Sequence, residues 1–519
     1  MRQKINTGSS YSVLTGKCAA LGSIAIVIVF YLNYTYILNH FYGNGAFLYD
    51  SGWIAGLIHS KDLLLHSPSS VGNETSYYTV HFTPLLGLIS LVSFFVPVGM
   101  VTWFASFHAS IFSLLSAAAW LLAGDQCRRS GWPAIVVASL LAVLFGLNGI
   151  ALGQVCYPHY EFIGPSFICL AIALYCTKWR RLGFICLVLG VLSREDAGLH
   201  AATLFGLLWG YETLTGRSTG LLPRRVLGQF TIISLLAGIG CMLCQKLFFP
   251  GSGIFSQSFL GDPVYGHVNA SFLATRTLAL LTTTLNVVLP FLLAGITTIV
   301  LREPVFLLGF VAFIPWLLLN FLGPRDAPGA LQLYYAFPFA LSLFVAMAAA
   351  LHSLRLQQLS GPAGRLAPLL LALAFPLISI IGFGASPLIS LPHVLSDMSS
   401  LKPFDAPCLE SFLTELVAEK PRLGRLVVDD SIAALRPFDF RPEETLSNVK
   451  TSIPDLLVFF PSGYEMDAVM RVIHTSTTRQ FYGFRCANLG LVAFRPLPPD
   501  SALPRWLVPL DANLQPLAQ

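Results

Sequence analysis

The run CAALGSIAIVIVFYLNYTYILN, residues 18–39, carries no charged side chain and is about as long as a helix must be to cross a bilayer. It is too long for the apolar core of a cleavable leader and has no small-x-small cleavage site, so it reads as an anchor that stays. Just beyond it stands Phe47-Leu48-Tyr49-Asp50-Ser51-Gly52-Trp53. This places a carboxylate, Asp50, where a membrane surface meets water.

The rest of the chain repeats the pattern. Of 519 residues, 55% are hydrophobic and 11% charged, whereas a soluble domain is about one quarter charged. Apolar runs recur at 103–124, 134–152, 164–177, 182–193, 198–211, 226–249, 277–301, 304–322, 334–354 and 367–391. With the first run, this predicts an all-α polytopic membrane protein of about eleven transmembrane helices. The net charge of +5 does not imply nucleic acid, because the basic residues sit in short loops where topology accounts for them.

Lys and Arg also set the orientation. With the N-terminus in the cytoplasm, Arg128, Arg129, Lys178, Arg180, Arg181, Arg217, Arg224, Arg225, Arg302, Arg355 and Arg365 fall inside. Only Lys61, Arg194, Lys246, Arg276 and Arg325 fall outside before the tail. The assignment requires that 81–98 is not a span. Pro84 and Pro97 bound it to about a dozen residues, which suits a re-entrant or interfacial helix within a first outer loop, 40–102. In the same loop, 53–65 has apolar residues at helical spacing and is expected to lie along the membrane surface.

After the last run the composition becomes that of a globular domain. The membrane part is therefore drawn as 1–392 and a small extracytoplasmic α/β domain as 393–519. Strands are expected at 425–429, 455–460 and 489–494, helices at 431–435 and 464–474, and a loose Pro-rich end over 496–509. Most of the ten cysteines lie in apolar runs and pack as small hydrophobes. This includes Cys241-x-x-Cys244, which has metal spacing but no second pair. Cys408 and Cys486 are in the tail, where an oxidising compartment would allow a disulfide. Asn73-Glu74-Thr75 and Asn269-Ala270-Ser271 fit the glycosylation sequon.

Ionisable residues at membrane level are costly and usually have a purpose. Four clusters fall on the outer side: Asp50; His81; His159 with Glu161; and Arg194 with Glu195 and Asp196. Carboxylates gathered there suit general-base work or the binding of a divalent metal ion. The plainer alternatives are a helix cap for Asp50, solvation for His81, His159 and Glu161, and a local salt bridge for Arg194-Glu195-Asp196. Lys246 and Arg276 flank the outer loop 250–271, placed to grip a lipid phosphate or to snorkel towards headgroups.

In order along the chain, Tyr49-Asp50-Ser51-Gly52, His81-Phe82-Thr83-Pro84, Pro158-His159-Tyr160-Glu161, Arg194-Glu195-Asp196-Ala197-Gly198 and Tyr335-Ala336-Phe337-Pro338 resemble a bacterial integral-membrane family, domain of unknown function 2079. That family is similar to the C-type glycosyltransferase (GT-C) superfamily. The resemblance implies a polyprenyl-phosphate-linked sugar donor and transfer on the outer membrane face. It implies Asp50 as catalytic base or metal ligand and Glu161 as the second acid, with His159 beside it. Asp50, His159 and Glu161 would hold a metal ion if one is used. Glu195 and Asp196 join the catalytic candidates, and His81, His159, Arg194, Lys246, Arg276 and Tyr335 the substrate-binding ones. A non-enzymatic transporter or envelope assembly protein with a polar outer pocket is the alternative.

Overall fold

The computed structural model describes residues 8–44, 49–67, 76–130, 132–177, 179–250, 259–353, 356, 361–386, 390–400, 406–446, 453–460, 466–474, 479–484, 490–497 and 503–510. Cys486, the sequon at Asn73, Lys178 and Arg355 lie outside them.

The helices, in chain order, begin with α1 (Gly8–Asn39), α2 (Tyr49–His59), α3 (Pro84–Val92), α4 (Met100–Ser130), α5 (Trp132–Gly146) and α6 (Gly149–Cys156). Next come α7 (Ile163–Cys176), α8 (Arg180–Val191), α9 (Ala197–Thr215), α10 (Arg224–Phe248), α11 (Ala270–Thr283) and α12 (Leu285–Leu301). Then follow α13 (Val305–Val311), α14 (Ile314–Phe321), α15 (Asp326–Gly329), α16 (Phe339–His352), α17 (Gly361–Gly384) and α18 (Leu391–Ser399). The tail holds α19 (Ala406–Glu419), α20 (Asp430–Leu435) and α21 (Met466–His474).

The chain is built as an integral membrane protein. Among the described residues five helical stretches are long and apolar enough to cross a bilayer: Cys18–Tyr42, Met100–Gly124, Trp132–Cys156, Arg224–Phe248 and Leu366–Gly384. Two bent pairs, α11 with α12 (84°) and Asp326–Ala336 with α16 (49°), raise the number to seven if each is one span. The eleven spans expected from the sequence are therefore not reproduced by length and composition alone. An apolar run fixes burial but not straightness. Thus α8, with 12 residues, is about 18 Å long, well short of a hydrocarbon core of about 30 Å. The run 304–322 is likewise divided into α13 and α14.

The chain forms two compact units: one of Met1–Asn33, Tyr78–Leu86 and Ser106–Leu395, the other of Tyr34–Tyr77, Gly87–Ala105 and Ser396–Gln519. In the first, helices meet through small residues, which let backbones approach where no hydrophobic force drives association. A Cβ on Gly149 would strike the Ser379 carbonyl, and one on Gly382 the Leu285 carbonyl. The same crossing of α6, α12 and α17 is tied by Asn286 Nδ2 donating to the Gly149 carbonyl (3.0 Å) and Ser379 Oγ to the Asn286 carbonyl (2.8 Å). Similarly, Gly198 of α9 abuts Gly238 and Ser234 of α10.

The second unit contains a five-stranded sheet, β1 (Leu426–Val428), β2 (Leu456–Phe459), β3 (Gln480–Phe484), β4 (Gly490–Ala493) and β5 (Leu507–Leu510), in the order β1-β2-β4-β3-β5. β1 and β2 run parallel and the other pairs antiparallel. The three expected strands and both expected helices are present. The end of the chain departs from expectation: β5 pairs with β3, with Pro509 opposite Tyr482. Proline lacks an N–H, but an edge strand tolerates it. Cys408 is disulfide-bonded.

The first-loop segment 53–65 also departs from expectation. Its helix, α2, ends at His59, and Ile54, Ala55, Leu57 and Ile58 are fully buried within the protein. The helical spacing was read correctly, but the apolar face meets protein. The expected short helix over 81–98 is found as α3 followed by a tighter turn at Ser93–Phe95.

Candidate functional site

In the first unit, side chains from separate stretches converge on Arg194. The turn that carries it joins α8 to α9, and three carboxylates offset its burial. Arg194 Nη1 lies 3.4 Å from Glu161 Oε1, and its Nε lies 3.1 Å from Asp196 Oδ1 and 3.7 Å from Glu195 Oε1. Each carboxylate also has its own imidazole. His159 Nδ1 bonds Glu161 Oε2, His81 Nδ1 is 2.8 Å from Glu195 Oε1, and His200 Nε2 is 3.5 Å from Asp196 Oδ2.

Local structure fixes these positions. Asn148 caps α6 by accepting from the Ile150 and Ala151 amides (3.0 and 3.1 Å). Two turns on, the buried Gln154 side chain donates to the His159 carbonyl. His159 stacks on Tyr334 at 4.6 Å and 9°. The Tyr334 hydroxyl donates to that of Tyr335 (3.0 Å), and Trp316 Nε1 donates to the Tyr335 carbonyl (3.0 Å). The loop bearing His81 is held by Gln245 Nε2 of α10, which donates to the Tyr78 and Val80 carbonyls. On the other side, the Leu85 amide donates to the Leu192 carbonyl. Arg194 also lies over the Phe337 ring, 5.6 Å from its centroid.

Charge within this cluster is nearly enclosed. Burial pushes the Glu161 carboxyl up, but the His159 imidazole and the Arg194 guanidinium outweigh it and hold the group below the ordinary carboxylate range. Asp196 behaves alike: burial raises it, and Arg194 and His200 bring it well below its usual value. Burial opposes the charge on Arg194, yet Asp196 and Glu195 raise its pKa further. Glu195 Oε2 and Asp196 Oδ1 accept no hydrogen bond among the described residues, although Arg194 Nε stands 3.1 Å from the latter.

The sign of these shifts sets a pH dependence. A carboxylate depressed on folding contributes stability above its unfolded pKa and loses it as pH falls towards the folded one. The ordinary values here are 4.5 for Glu161 and 3.8 for Asp196. The contribution of these two carboxylates to the thermal midpoint of the detergent-purified protein is therefore expected to be constant from pH 7 to 5 and to fall below about pH 4.5. Glu161→Gln/Asp196→Asn should show a smaller acid-side fall than wild type. Parallel curves would contradict the assigned shifts.

The remaining sequence candidates lie elsewhere. Asp50 sits exposed in the first turn of α2, in the second unit, where a carboxylate suits the helix dipole. Lys246 is exposed in the last turn of α10. Arg276 is buried. It donates to the Asp326 and Gly323 carbonyls (2.8 and 3.2 Å) and pairs with Asp326 at 3.4 Å, so its guanidinium is committed to the loop 323–326. Asn269 of the second sequon caps α11 through the Phe272 amide.

For a metal ion, the described residues gather no group of three or more His, Cys, Asp or Glu side chains around one position. Glu161 instead meets His159 and Arg194. The acids of the cluster surround a guanidinium.

Sequence reasoning passed over His200, Gln154, Tyr334 and Trp316. His200 was accessible as the i+4 neighbour of Asp196 on one helix face. The other three join the cluster through tertiary contacts that no local pattern reveals.

Comparison with known proteins gives weak likenesses. No family model matches the sequence, and a search of curated proteins finds no match. Among solved structures, ArnT from Cupriavidus metallidurans bound to undecaprenyl phosphate aligns over 93% of this chain and 98% of its own, with 12% identity and a TM-score of 0.43. The apo oligosaccharyltransferase of Archaeoglobus fulgidus aligns over 95% and 76%, again with 12% identity and a TM-score of 0.43. Likeness at this level assigns neither a substrate nor a role to any residue of this chain.

Proposed function

We propose that the protein is a membrane glycosyltransferase that moves a hexosyl or pentosyl group from a polyprenyl-phosphate-linked donor to an acceptor on the outer face of the membrane. One observation carries this reading. Of the five motifs on which the GT-C resemblance rests, four come from distant parts of the chain yet meet in one cluster: His81 with Glu195, Glu161 with Arg194, and Arg194 over Phe337 of the Tyr335 motif. Merely solvated loop residues would have no reason to converge in a buried place. The fifth motif supplies Asp50, exposed at the start of a fixed helix.

In this mechanism Asp50 is the general base. It takes the proton of the acceptor hydroxyl, whose oxygen attacks the anomeric carbon. The bond from that carbon to the phosphate oxygen breaks, and polyprenyl phosphate leaves with the electron pair. Attack opposite the leaving group inverts the configuration. Lys246, exposed in the last turn of α10, is the cation for the lipid phosphate, whereas Arg276 is engaged with its own loop. The Arg194 cluster fixes the loops that carry these motifs. The disulfide at Cys408 supports a tail on the oxidising side of the membrane.

The test is transfer of radiolabelled sugar by vesicles containing the protein, supplied with a panel of polyprenyl-phosphate-linked hexoses and pentoses and with cell-envelope acceptors. Incorporation above protein-free vesicles is expected for one donor. No incorporation from any donor by folded protein would remove the reading and favour a non-enzymatic envelope protein.

A further inference from the structure

The second unit contains a contact with a consequence for Asp50. Its helix, α2, has two glycines on one face, Gly52 and Gly56, four residues apart. Neither has room for a side chain. A Cβ on Gly52 would overlap the backbone of Ala434, and one on Gly56 would lie 2.7 to 2.9 Å from the Phe438 and Pro437 rings. Both partners belong to the C-terminal domain, roughly 380 residues further along. The bare face of α2 is thus seated directly on α20 and the turn after it.

That seat is rigidly tied to the sheet. All six residues of α20 are buried. Asp429, at the end of β1, accepts from the Ile432 amide (2.8 Å) to cap α20 and from the Phe460 amide (2.7 Å) at the end of β2. The far end of α2 is held as well: Trp103 Nε1 donates to the Ile58 carbonyl (3.0 Å), and His59 Nε2 meets the Val98 carbonyl (3.0 Å). Along this fixed helix Asp50 alone presents a carboxylate, and it is exposed. A helix that only filled space would have no need of two glycines, one against the Ala434 backbone and one against the Pro437 and Phe438 rings. Glycine inside a helix is unfavourable relative to alanine, so the cost of Gly52 and Gly56 requires an offsetting gain.

We propose that Gly52, Gly56 and Ala434 are positioning residues: the C-terminal domain sets the placement of Asp50 for base catalysis by seating α2 on α20 and the turn after it. The proposal rests on the reading of Asp50 as the base. It gives the tail a role in catalysis separate from any contact with the acceptor.

The experiment compares wild type, Gly56→Ala, Phe438→Ala, the double variant Gly56→Ala/Phe438→Ala and Asp50→Asn as full-length protein in vesicles. Amide hydrogen exchange over 49–59 reports the seat. Transfer from the polyprenyl-phosphate-linked donor that wild type uses reports catalysis. Gly56→Ala should speed exchange over 49–59 at least tenfold, leave exchange in the sheet unchanged, and lower kcat about tenfold with donor KM unmoved. Removing the Phe438 ring beside the new methyl should restore both in the double variant. Unchanged exchange in Gly56→Ala overturns the seat. Faster exchange with full transfer, while Asp50→Asn is inactive, overturns the positioning role and leaves Asp50 as base. Full transfer by Asp50→Asn overturns the reading of Asp50 as base and the positioning role with it, whatever the exchange shows, and leaves the transferase reading standing.

Discussion

Arg194→Met is expected to abolish sugar transfer and to cost about 3–5 kcal/mol of stability, the usual result of removing one partner from a buried ion pair. Arg194 is the cation within reach of Glu161, Glu195 and Asp196. Methionine fills much of the same volume but leaves three carboxylates, one buried and two nearly enclosed, facing one another. They must then take up protons or admit water, and either moves the loops that bear them. His81 follows Glu195 and His159 follows Glu161, so the damage spreads to every motif in the cluster. Arg194→Lys keeps the charge but replaces a planar fork by a point charge. It cannot reach Glu161 from one side and Asp196 from the other, and partial loss is expected. Adding Asp196→Asn to Arg194→Met should recover part of the stability, because one unpaired charge is removed; coupled neighbours are not additive. Thermal midpoints in detergent, read beside transfer rates, check this. An Arg194→Met protein that melts and transfers like wild type would remove the cluster from both roles.

Much of this arrangement was legible in the sequence, for reasons that differ by part. Hydropathy identifies chain that cannot remain in water, which is why the membrane class and the long helices α1, α4 and α10 follow from composition. It does not report where a helix bends. The 84° break at Thr284 between α11 and α12 has no proline at the bend, and its run reads as one span. Alternation and turn residues found β1, β2 and β4, whose faces are buried. They missed β3, which is largely half-exposed, and β5, whose Pro509 argues locally against a strand. Among site residues, the motifs announced themselves as acids and histidines in short loops between apolar runs. Their mutual pairing did not. The adjacent Glu195 and Asp196 announce a local salt bridge to Arg194, but nothing local shows that Glu161 joins it or that Arg276 binds two backbone carbonyls. Gly52 and Gly56 could be read only as helix-weakening residues until Ala434 and Phe438 were seen against them.

Asp50→Asn is expected to lower kcat on the order of a thousandfold, within the range contributed by a positioned general base. The substitution is nearly isosteric and changes one atom at an exposed site, so folding should be untouched. Asparagine keeps an oxygen that accepts a hydrogen bond from the acceptor hydroxyl, but it cannot take the proton. Donor affinity should therefore stay within about twofold, and the loss should appear in the chemical step. Asp50→Glu keeps the base but displaces it by one methylene, and a misplacement near 1 Å is enough to cost about a hundredfold. The order wild type, then glutamate, then asparagine is a signature that loss of a structural residue would not give. A structural defect would instead lower the melting point and the activity together. Single-turnover transfer with saturating labelled donor isolates the step. Wild-type rates for Asp50→Asn would leave the resemblance around Tyr49–Gly52 without chemical content and move the search for a base to two other acids among the catalytic candidates, Glu195 and Asp196.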